Sequence, residues 1–274
     1  MKQIICIKWG DKYNYTDCNN LYMMIKNNIT PPFTLTCFTD NDNNLNKNIL
    51  VENLPNLDFE LRNHNKGQWG KCRLWNSELG KLKGNVLFLD LDIIIVSNID
   101  NFFEYGNKDS LILGRNITEY NPFIVKGQTS FFRFPVGKLS SLLEKFKNNQ
   151  KFYQEKYNFE QTFVSNEIDM DIDFWPKEWI NHFRYQCVPF FPLNYFYTPY
   201  FTNGCKIVNF CGGNVKYNDA INGRYYFKKY YDPLNHIYKV LTHSYNPVKI
   251  INGIRKFILP CKWINIYTHY NKID

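Results

Sequence analysis

The sequence predicts an α/β fold in which a mixed, mostly parallel central sheet is flanked by helices. Two observations carry this prediction. Short apolar runs that suit buried strands alternate with segments of helical periodicity over residues 3 to 89, and this alternation is typical of parallel sheets. The chain of 274 residues is 44% hydrophobic, which is enough to bury one sizeable core, alone or with a small appendage.

The first elements follow one another closely. The apolar run at 3–8 predicts a buried strand, and Leu21, Met24 and Ile25 have the spacing of one helical face within 17–28. Pro31-Pro32 ends that helix, because the residue before a proline is driven out of helical conformation. The next predicted elements are a strand at 33–38, a helix at 68–82 and a strand at 85–89.

The middle of the chain is more mixed. Residues 110–113 and 129–134 are predicted strands, and the second alternates so poorly that we expect it to be buried on both faces. Residues 138–148 form a clear amphipathic pattern, and 159–166 a shorter helix. We find no repeat or low-complexity linker, and predict one main domain at 1–223 with a basic, aromatic C-terminal extension at 224–274.

The eight cysteines are scattered, and no two of them form a C-x-x-C pair. Several lie inside apolar runs, so we expect small core residues in a reducing compartment, and neither a disulfide framework nor a zinc site. No segment approaches the roughly 18 consecutive apolar residues of a membrane span, and no signal peptide is evident. We therefore expect a cytoplasmic protein.

The net charge of +8 is concentrated at the C-terminus. From Arg224 onward the chain has nine Lys or Arg residues against two Asp residues. With aromatic residues interleaved, such a segment can contact an anionic membrane peripherally, whereas the plainer alternative is a solvated basic face. No recognisable RNA- or DNA-binding motif is present, so we expect no nucleic-acid partner.

The most informative motif is Asp90-Leu91-Asp92, which directly follows the apolar run of the strand at 85–89. A buried strand of a parallel sheet delivers such residues to the carboxyl edge, where open α/β folds bind ligands. Alternate residues of an extended chain point to one side, so both carboxylates can converge on one hard divalent cation. Asp-x-Asp triplets also occur by chance, and one such Asp can simply cap a helix.

The Asp90-Leu91-Asp92 motif leaves two functional alternatives open at this point. Phosphatases of the haloacid-dehalogenase type also place Asp-x-Asp after an apolar strand, with Asp90 then acting as the nucleophile. Their motif normally lies on the first strand and precedes Gly or Thr turn residues, whereas here two strands precede it and Ile93-Ile94-Ile95 follows. The other alternative is a non-catalytic module that binds a nucleotide sugar.

Several separated segments together resemble bacterial and viral sugar transferases related to the glycogenin and lipopolysaccharide galactosyltransferase group. They are CIKWGDKY at 6–13, NLY at 20–22, CFTD at 37–40, QWGK at 68–71, NVLFLDLD at 85–92, TSF at 129–131, EQ at 160–161 and KIVNFCG at 206–212. The resemblance covers about residues 3–220 and implies a GT-A fold. It further implies transfer of a sugar from a nucleoside-diphosphate sugar, with a UDP-sugar favoured, to a glycan, lipid-linked or protein acceptor. It also implies Mn²⁺ or Mg²⁺ on the Asp-x-Asp motif and retention of configuration at the transferred sugar.

The resemblance also implies roles for individual residues. Asp90 and Asp92 would hold the cation, with Asp90 also contacting the donor, and Asn209 is a candidate third ligand. The residues implied in catalysis are Gln128, which would position the sugar, and Glu160 and Gln161 near the acceptor. Glu160 could be a base, an acceptor for a sugar hydroxyl, or a carboxylate on a helix surface. The remaining implied donor-binding residues are Lys8, Asp11, Lys71, Arg73, Gly212 and Lys216. For Lys71 and Arg73 the alternative is ordinary surface charge.

The sequence departs from the family at one position that matters for the cation. Relatives have a His near the Ile-Val-x-Phe-x-Gly segment that supplies a third ligand, and here the candidates are Asn209 and Cys211. An amide oxygen is a weaker ligand than imidazole, and a thiolate is too soft for Mg²⁺ or Mn²⁺. We therefore expect weak cation binding until a diphosphate arrives, or impaired catalysis.

Overall fold

The computed structural model describes residues 1–64, 68–117, 126–212, 215–223, 233–242, 246–255 and 257–268. They belong to two compact units. The first contains residues 1–91 and 98–177, and the second contains residues 92–97 and 178–274. The predicted domain boundary at 223/224 adjoins residues 224–232, which lie outside the described part of the chain, so that division stays a prediction.

The strands and helices are these, in chain order. The strands are β1 Lys2–Lys8, β2 Phe33–Thr39, β3 Leu50–Asn53, β4 Asn85–Leu89, β5 Ile93–Ile95, β6 Leu111–Arg115, β7 Gly127–Pro135, β8 Ile172–Phe174, β9 Ile180–His182 and β10 Ile207–Asn209. The α-helices are α1 Tyr15–Asn27, α2 Asn101–Glu104, α3 Ser140–Asn148, α4 Gln150–Tyr157, α5 Glu160–Glu167, α6 Tyr217–Ile221, α7 Pro233–Thr242, α8 Pro247–Arg255 and α9 Ile264–Thr268.

The first unit is built on a seven-stranded sheet with the order β3-β2-β1-β4-β7-β6-β8. Strands β3, β2, β1 and β4 run parallel to one another, and β6 runs parallel to β8, whereas β7 runs antiparallel to both β4 and β6. This confirms the predicted α/β class with a mixed, mostly parallel sheet. It also places β4, which ends beside Asp90, at the centre of the sheet.

Strand β7 is buried along its whole length, as its poor alternation predicts. It lies between two strands, and residues from both of its faces join the core. One side of the sheet holds an aromatic core in which the Trp69 ring stacks on Phe146 with the centroids 4.8 Å apart. Phe163 of α5 packs against Trp75 at 5.5 Å, so α3, α5 and the segment around Trp69 share this core.

The predicted helix at 68–82 is wrong beyond its first half. The chain forms a 3₁₀ helix over Trp69–Trp75, and Asn76 is extended. Buried Trp69, Cys72 and Trp75 recur every third residue, which suits the three residues per turn of a 3₁₀ helix better than the α-helical period. The segment lies against Trp9, since a Cβ on Gly70 would come within 2.9 Å of Trp9 Cζ2.

The second unit contains a three-stranded sheet with the order β5-β10-β9. Strand β10 is antiparallel to β5 and parallel to β9, which aligns Asn209 with both Ile93 and His182. A second cluster lies near the C-terminus, where Tyr195 stacks on Phe257 with a centroid distance of 4.4 Å. Tyr195 Oη is 2.8 Å from His236 Nδ1, and burial lowers the pKa of His236 to about 4.

All eight cysteines lie in described parts of the chain and none is in a disulfide. Seven are buried, as expected for small core residues, and Cys211 is half-buried. Among the described helices, none combines the length and the apolar character that crossing a bilayer requires.

Candidate active site

Asp90 follows the central strand β4 and belongs to the first unit. Its backbone N–H donates to Ser130 O at 2.8 Å, which fixes the chain to β7 just beyond the strand. Its side chain is 16% exposed, so the carboxylate is held in a partly dehydrated environment while it keeps access to solvent. This is the strand-end position that the sequence predicts for a ligand-binding carboxylate.

Lys71 forms an ion pair with Asp90. Its Nζ lies 2.7 Å from Asp90 Oδ2 and donates to Thr129 O at 3.0 Å. The side chain of Lys71 is only 7% exposed, and its ammonium lies 5.1 Å from the ring centroid of Phe88. A buried ammonium must be paired to be tolerated, and Asp90 supplies the opposite charge. The ordinary surface-charge alternative for Lys71 is therefore wrong, whereas its role toward a donor stays a prediction.

Glu160 is the first residue of α5 and is buried, with 4% of its surface exposed. Burial raises the pKa of Glu160 to about 7, against the opposing effects of the Lys71 charge and a hydrogen bond with Thr129. The negative charge of Asp90 adds to the rise in pKa. Lys71, Asp90 and Glu160 thus form one charged cluster in the first unit, although they are far apart in sequence. The third alternative for Glu160, a carboxylate on a helix surface, is wrong.

The other predicted residues of the first unit lie in different settings. Gln128 is buried in β7 opposite Gly114, and Gln161 follows Glu160 with a half-buried side chain. Arg73 donates from Nη1 to Pro55 O at 2.7 Å, so its guanidinium is engaged with the loop after β3.

Lys8 and Asp11 flank the turn after β1. Lys8 is 5% exposed, and its positive charge lowers the pKa of Cys37 in addition to the hydrogen bonds from Cys18 and Cys6. Asp11 is exposed. The donor-binding roles assigned to Lys8 and Asp11 stay predictions.

Asp92 opens the second unit, where it contacts the turn after β10. Its carbonyl accepts from Phe210 N at 3.0 Å, and Cys211 Sγ donates to Asp92 Oδ1 at 2.7 Å. Asn209 is fully buried, and its Oδ1 accepts from Cys211 N at 2.9 Å. One lone pair of this amide oxygen is therefore already used for shaping the turn. The assignment of Asn209 as a cation ligand stays a prediction.

The sequence prediction missed His182. Its Nε2 lies 2.8 Å from Cys211 O, and the side chain is 3% exposed. Burial lowers the pKa of His182 below its usual value, although the Cys211 carbonyl opposes that shift. The imidazole is therefore neutral at pH 7, where Nε2–H donates to the carbonyl and supports the turn that carries Cys211.

Two predicted donor-binding residues follow this turn. Gly212 is exposed and has φ +71°, a left-handed conformation that glycine adopts without strain. Lys216 is exposed and precedes α6, and its backbone N–H lies 3.4 Å from Asp219 Oδ2.

The donor atoms can be tested for their fit to a divalent cation. Carboxylate oxygens of Asp90 and Asp92 are hard ligands of the kind that Mg²⁺ and Mn²⁺ prefer. Only one residue separates these two carboxylates along the chain. The sulfur of Cys211 is a poor ligand for such ions, yet it acts here as a hydrogen-bond donor to Asp92 and leaves the second carboxylate oxygen of Asp92 outside that bond. Each of these two carboxylates is thus a ligand of the type that the predicted cation accepts, and the cation itself stays a prediction.

Comparison with solved structures identifies proteins with a similar fold. No family model matches the chain, and no curated protein sequence matches it. Among solved structures, the galactosyltransferase LgtC in complex with donor and acceptor sugar analogs aligns with a TM-score of 0.51 and 10% identity, over 78% of this chain and 88% of that one. The glycosyltransferase GlyE of Streptococcus pneumoniae TIGR4 aligns with a TM-score of 0.50 and 10% identity. That alignment covers 68% of this chain, which spans about half of the GlyE chain, 48%.

These neighbours are GT-A glycosyltransferases, so the predicted fold and the resemblance to this group are confirmed. At 10% identity the likeness concerns the fold alone. The comparisons favour neither the phosphatase nor the non-catalytic binding module.

Proposed function

We propose that a protein with this glycosyltransferase fold transfers a sugar from a nucleoside-diphosphate sugar to an acceptor. The observation that carries the proposal is the Lys71–Asp90–Glu160 cluster at the end of the central strand. The Lys71 ion pair fixes the position of the Asp90 side chain, since Nζ lies 2.7 Å from Oδ2. A fixed carboxylate at this edge is what a cation-dependent donor site requires.

A Mn²⁺ or Mg²⁺ ion held by Asp90 and Asp92 would neutralise the charge that develops on a departing nucleoside diphosphate. In the second unit, the exposed backbone of Gly212 leaves room for close approach of a ligand, since a Cβ there would meet no atom within 4 Å. Lys216 is exposed shortly after Gly212 and adds a positive charge suited to phosphate. We assign the donor to the class of UDP-sugars and the acceptor to a glycan, a lipid-linked sugar or a protein.

Glu160 is the best candidate for handling a proton. With a pKa of about 7, it exchanges between its protonated and ionised forms near neutral pH, which suits a general base or acid. Gln161 and Gln128, one half-buried and one buried, are polar amides that can orient sugar hydroxyls without adding charge. The resemblance to the glycogenin group implies retention of configuration, and we propose retention on that ground.

The decisive experiment is binding followed by turnover. A panel of sugar nucleotides is screened by thermal shift with and without Mn²⁺, and each binder is then tested for hydrolysis of its sugar–phosphate bond. We expect at least one UDP-sugar to raise the melting temperature, more so with Mn²⁺, and to be hydrolysed. D90N and D92N should lose both effects, whereas D109N, which changes an exposed carboxylate in a loop, should keep them. If no sugar nucleotide changes the melting temperature, the proposal fails.

A further inference from the structure

Three cysteines from different elements converge in the first unit, and none of them belongs to the Lys71–Asp90–Glu160 cluster. Cys6 of β1 and Cys37 of β2 are register partners on parallel strands, so their side chains leave the same face of the sheet. Cys18 of α1 reaches this face, and its Sγ lies 3.9 Å from Cys37 Sγ. The three sulfurs all lie within 4.8 Å of one another, and each side chain is fully buried.

We infer that Cys6, Cys18 and Cys37 form a three-sulfur binding site for a soft monovalent cation of the Cu(I) class. A thiolate-bound cation of this size lies about 2.3 Å from each sulfur, which sets three coplanar sulfurs about 4 Å apart. The 3.9 Å between the sulfurs of Cys18 and Cys37 matches that spacing. Binding therefore needs little movement of the sheet or of α1.

The number and type of donor atoms select the cation. No fourth Cys, His, Asp or Glu from the described residues joins the three sulfurs. Structural zinc sites are four-coordinate, and hard cations prefer oxygen ligands, so a dry group of three sulfurs suits neither. Thiolates bind Cu(I), zinc and iron–sulfur clusters, and since zinc sites and iron–sulfur clusters take four ligands, three sulfurs favour Cu(I).

A buried positive charge, that of Lys8, acts on Cys18 and Cys37. A thiolate is the form that binds metal, and each thiol that ionises on binding releases one proton to solvent. Lys8, itself 5% exposed, offsets part of the negative charge that a thiolate-bound Cu(I) leaves in the core.

The site is independent of the proposed sugar transfer, so its test does not use enzyme activity. The reduced full-length chain is loaded anaerobically with Cu(I), once in the native state and once during refolding from denaturant, and is then desalted against a Cu(I) chelator. We expect about one copper per chain after refolding and only sulfur neighbours in the X-ray absorption spectrum. In a second sample, which keeps free Cu(I) at 100 times its dissociation constant, the melting temperature should rise by about 5 to 10 °C.

Variants and cysteine mapping assign the sulfurs. C18A and C37A should lose the copper, whereas C72A, which removes another fully buried cysteine of the same unit, should retain it. Alkylation in denaturant of the loaded and the unloaded wild-type chain, followed by peptide mass spectrometry, should show copper-dependent protection of Cys6, Cys18 and Cys37 and none of the other five, and this readout does not depend on the folding of any variant. The inference is overturned if the refolded wild-type chain retains no copper, or if the protected cysteines are others.

Discussion

The ammonium of Lys71 lies 2.7 Å from Asp90 Oδ2 and 3.0 Å from Thr129 O, with only 7% of the Lys71 side chain exposed. The 3₁₀ helix, β4 and β7 thus meet at one charge pair. Because both partners are mostly removed from water, neither charge can lose the other without cost. We therefore expect a substitution that removes either of these two charges to destabilise the folded chain.

Replacing Lys71 by Met should leave the Asp90 carboxylate without its opposite charge. We expect K71M to lower the free energy of unfolding by about 3 kcal/mol, since removal of one partner of a buried ion pair strands the other. Urea denaturation measures this loss. K81M, at an exposed lysine nearby in sequence, should change stability little, and the double variant K71M/D90N should recover part of the loss. Equal stability of K71M and wild type would contradict the role given to this pair.

Glu160 should make stability fall as pH rises from about 4.5 to about 7. Its pKa is raised from 4.5 to about 7 in the folded chain. As pH rises, Glu160 therefore loses its proton first in the unfolded chain, and this stabilises the unfolded state relative to the folded state through the interval. The contribution of Glu160 is fully present below the unfolded pKa and lost above the folded one, an effect of about 3 kcal/mol.

Comparison of E160Q with wild type isolates that effect. Denaturation at pH 5 and pH 8 should show a smaller pH-dependent loss in E160Q than in wild type, by about that amount. E144Q, at an exposed position of α3, should follow the wild-type profile. A wild-type profile in E160Q would mean that Glu160 ionises in the folded chain as it does in the unfolded one.

Cys211 should be the most reactive cysteine of the native chain toward iodoacetamide. It is half-buried, whereas the other seven cysteines are buried and each is at most 4% exposed. Its alkylation would also remove the hydrogen bond to Asp92 Oδ1 and place bulk beside that carboxylate. We therefore expect loss of Mn²⁺-dependent sugar-nucleotide binding in parallel with modification. Peptide mass spectrometry gives the order of modification, and C211S should bind the nucleotide yet resist inactivation.

Helix α7 should contact anionic membranes through an apolar stripe. Leu234, Tyr238 and Leu241 of α7 are 80%, 66% and 51% exposed, and their spacing places them on one helical face. They lie in the part of the sequence that carries the excess of positive charge. Such a combination favours interfacial binding, with the apolar face in the headgroup region.

Vesicle sedimentation tests this contact. The triple variant L234S/Y238S/L241S should bind vesicles containing phosphatidylglycerol at least about tenfold more weakly than wild type, since three apolar side chains no longer enter the interface. F152S, which removes an exposed aromatic residue of the first unit, is the matched control. Wild-type binding by the triple variant would assign any membrane contact to another surface.

Local sequence patterns predicted most of the first unit. Apolar runs predicted β1, β2, β4 and β7, because a buried strand leaves a continuous apolar signature. Strand β3 was missed, since its residues Leu50–Asn53 are mostly exposed at the edge of the sheet and have no such signature. The predicted helix at 68–82 was too long, since the helical segment is a 3₁₀ helix that ends at Trp75.

The candidate active site was only partly predictable, because some of its contacts join residues that are distant in sequence. Asp90 and Asp92 are recognisable from their position after an apolar strand, which is a local property. The contact between Cys211 and Asp92 joins residues 119 apart in sequence, and that between His182 and Cys211 joins residues 29 apart. The pairing of β10 with β5 and β9 creates both contacts, and no periodicity within a short segment encodes that pairing.

The fit of Trp9 against Gly70 has a consequence for the search for relatives of this protein. A methyl group at position 70 would come within 2.9 Å of the Trp9 indole, so a larger side chain at position 70 requires a smaller one at position 9. Homologous chains that keep an indole at position 9 should keep glycine at position 70, and a larger residue at 70 should accompany a smaller one at 9. Such coupled substitutions can retain a signal of common ancestry after single-residue motifs have diverged.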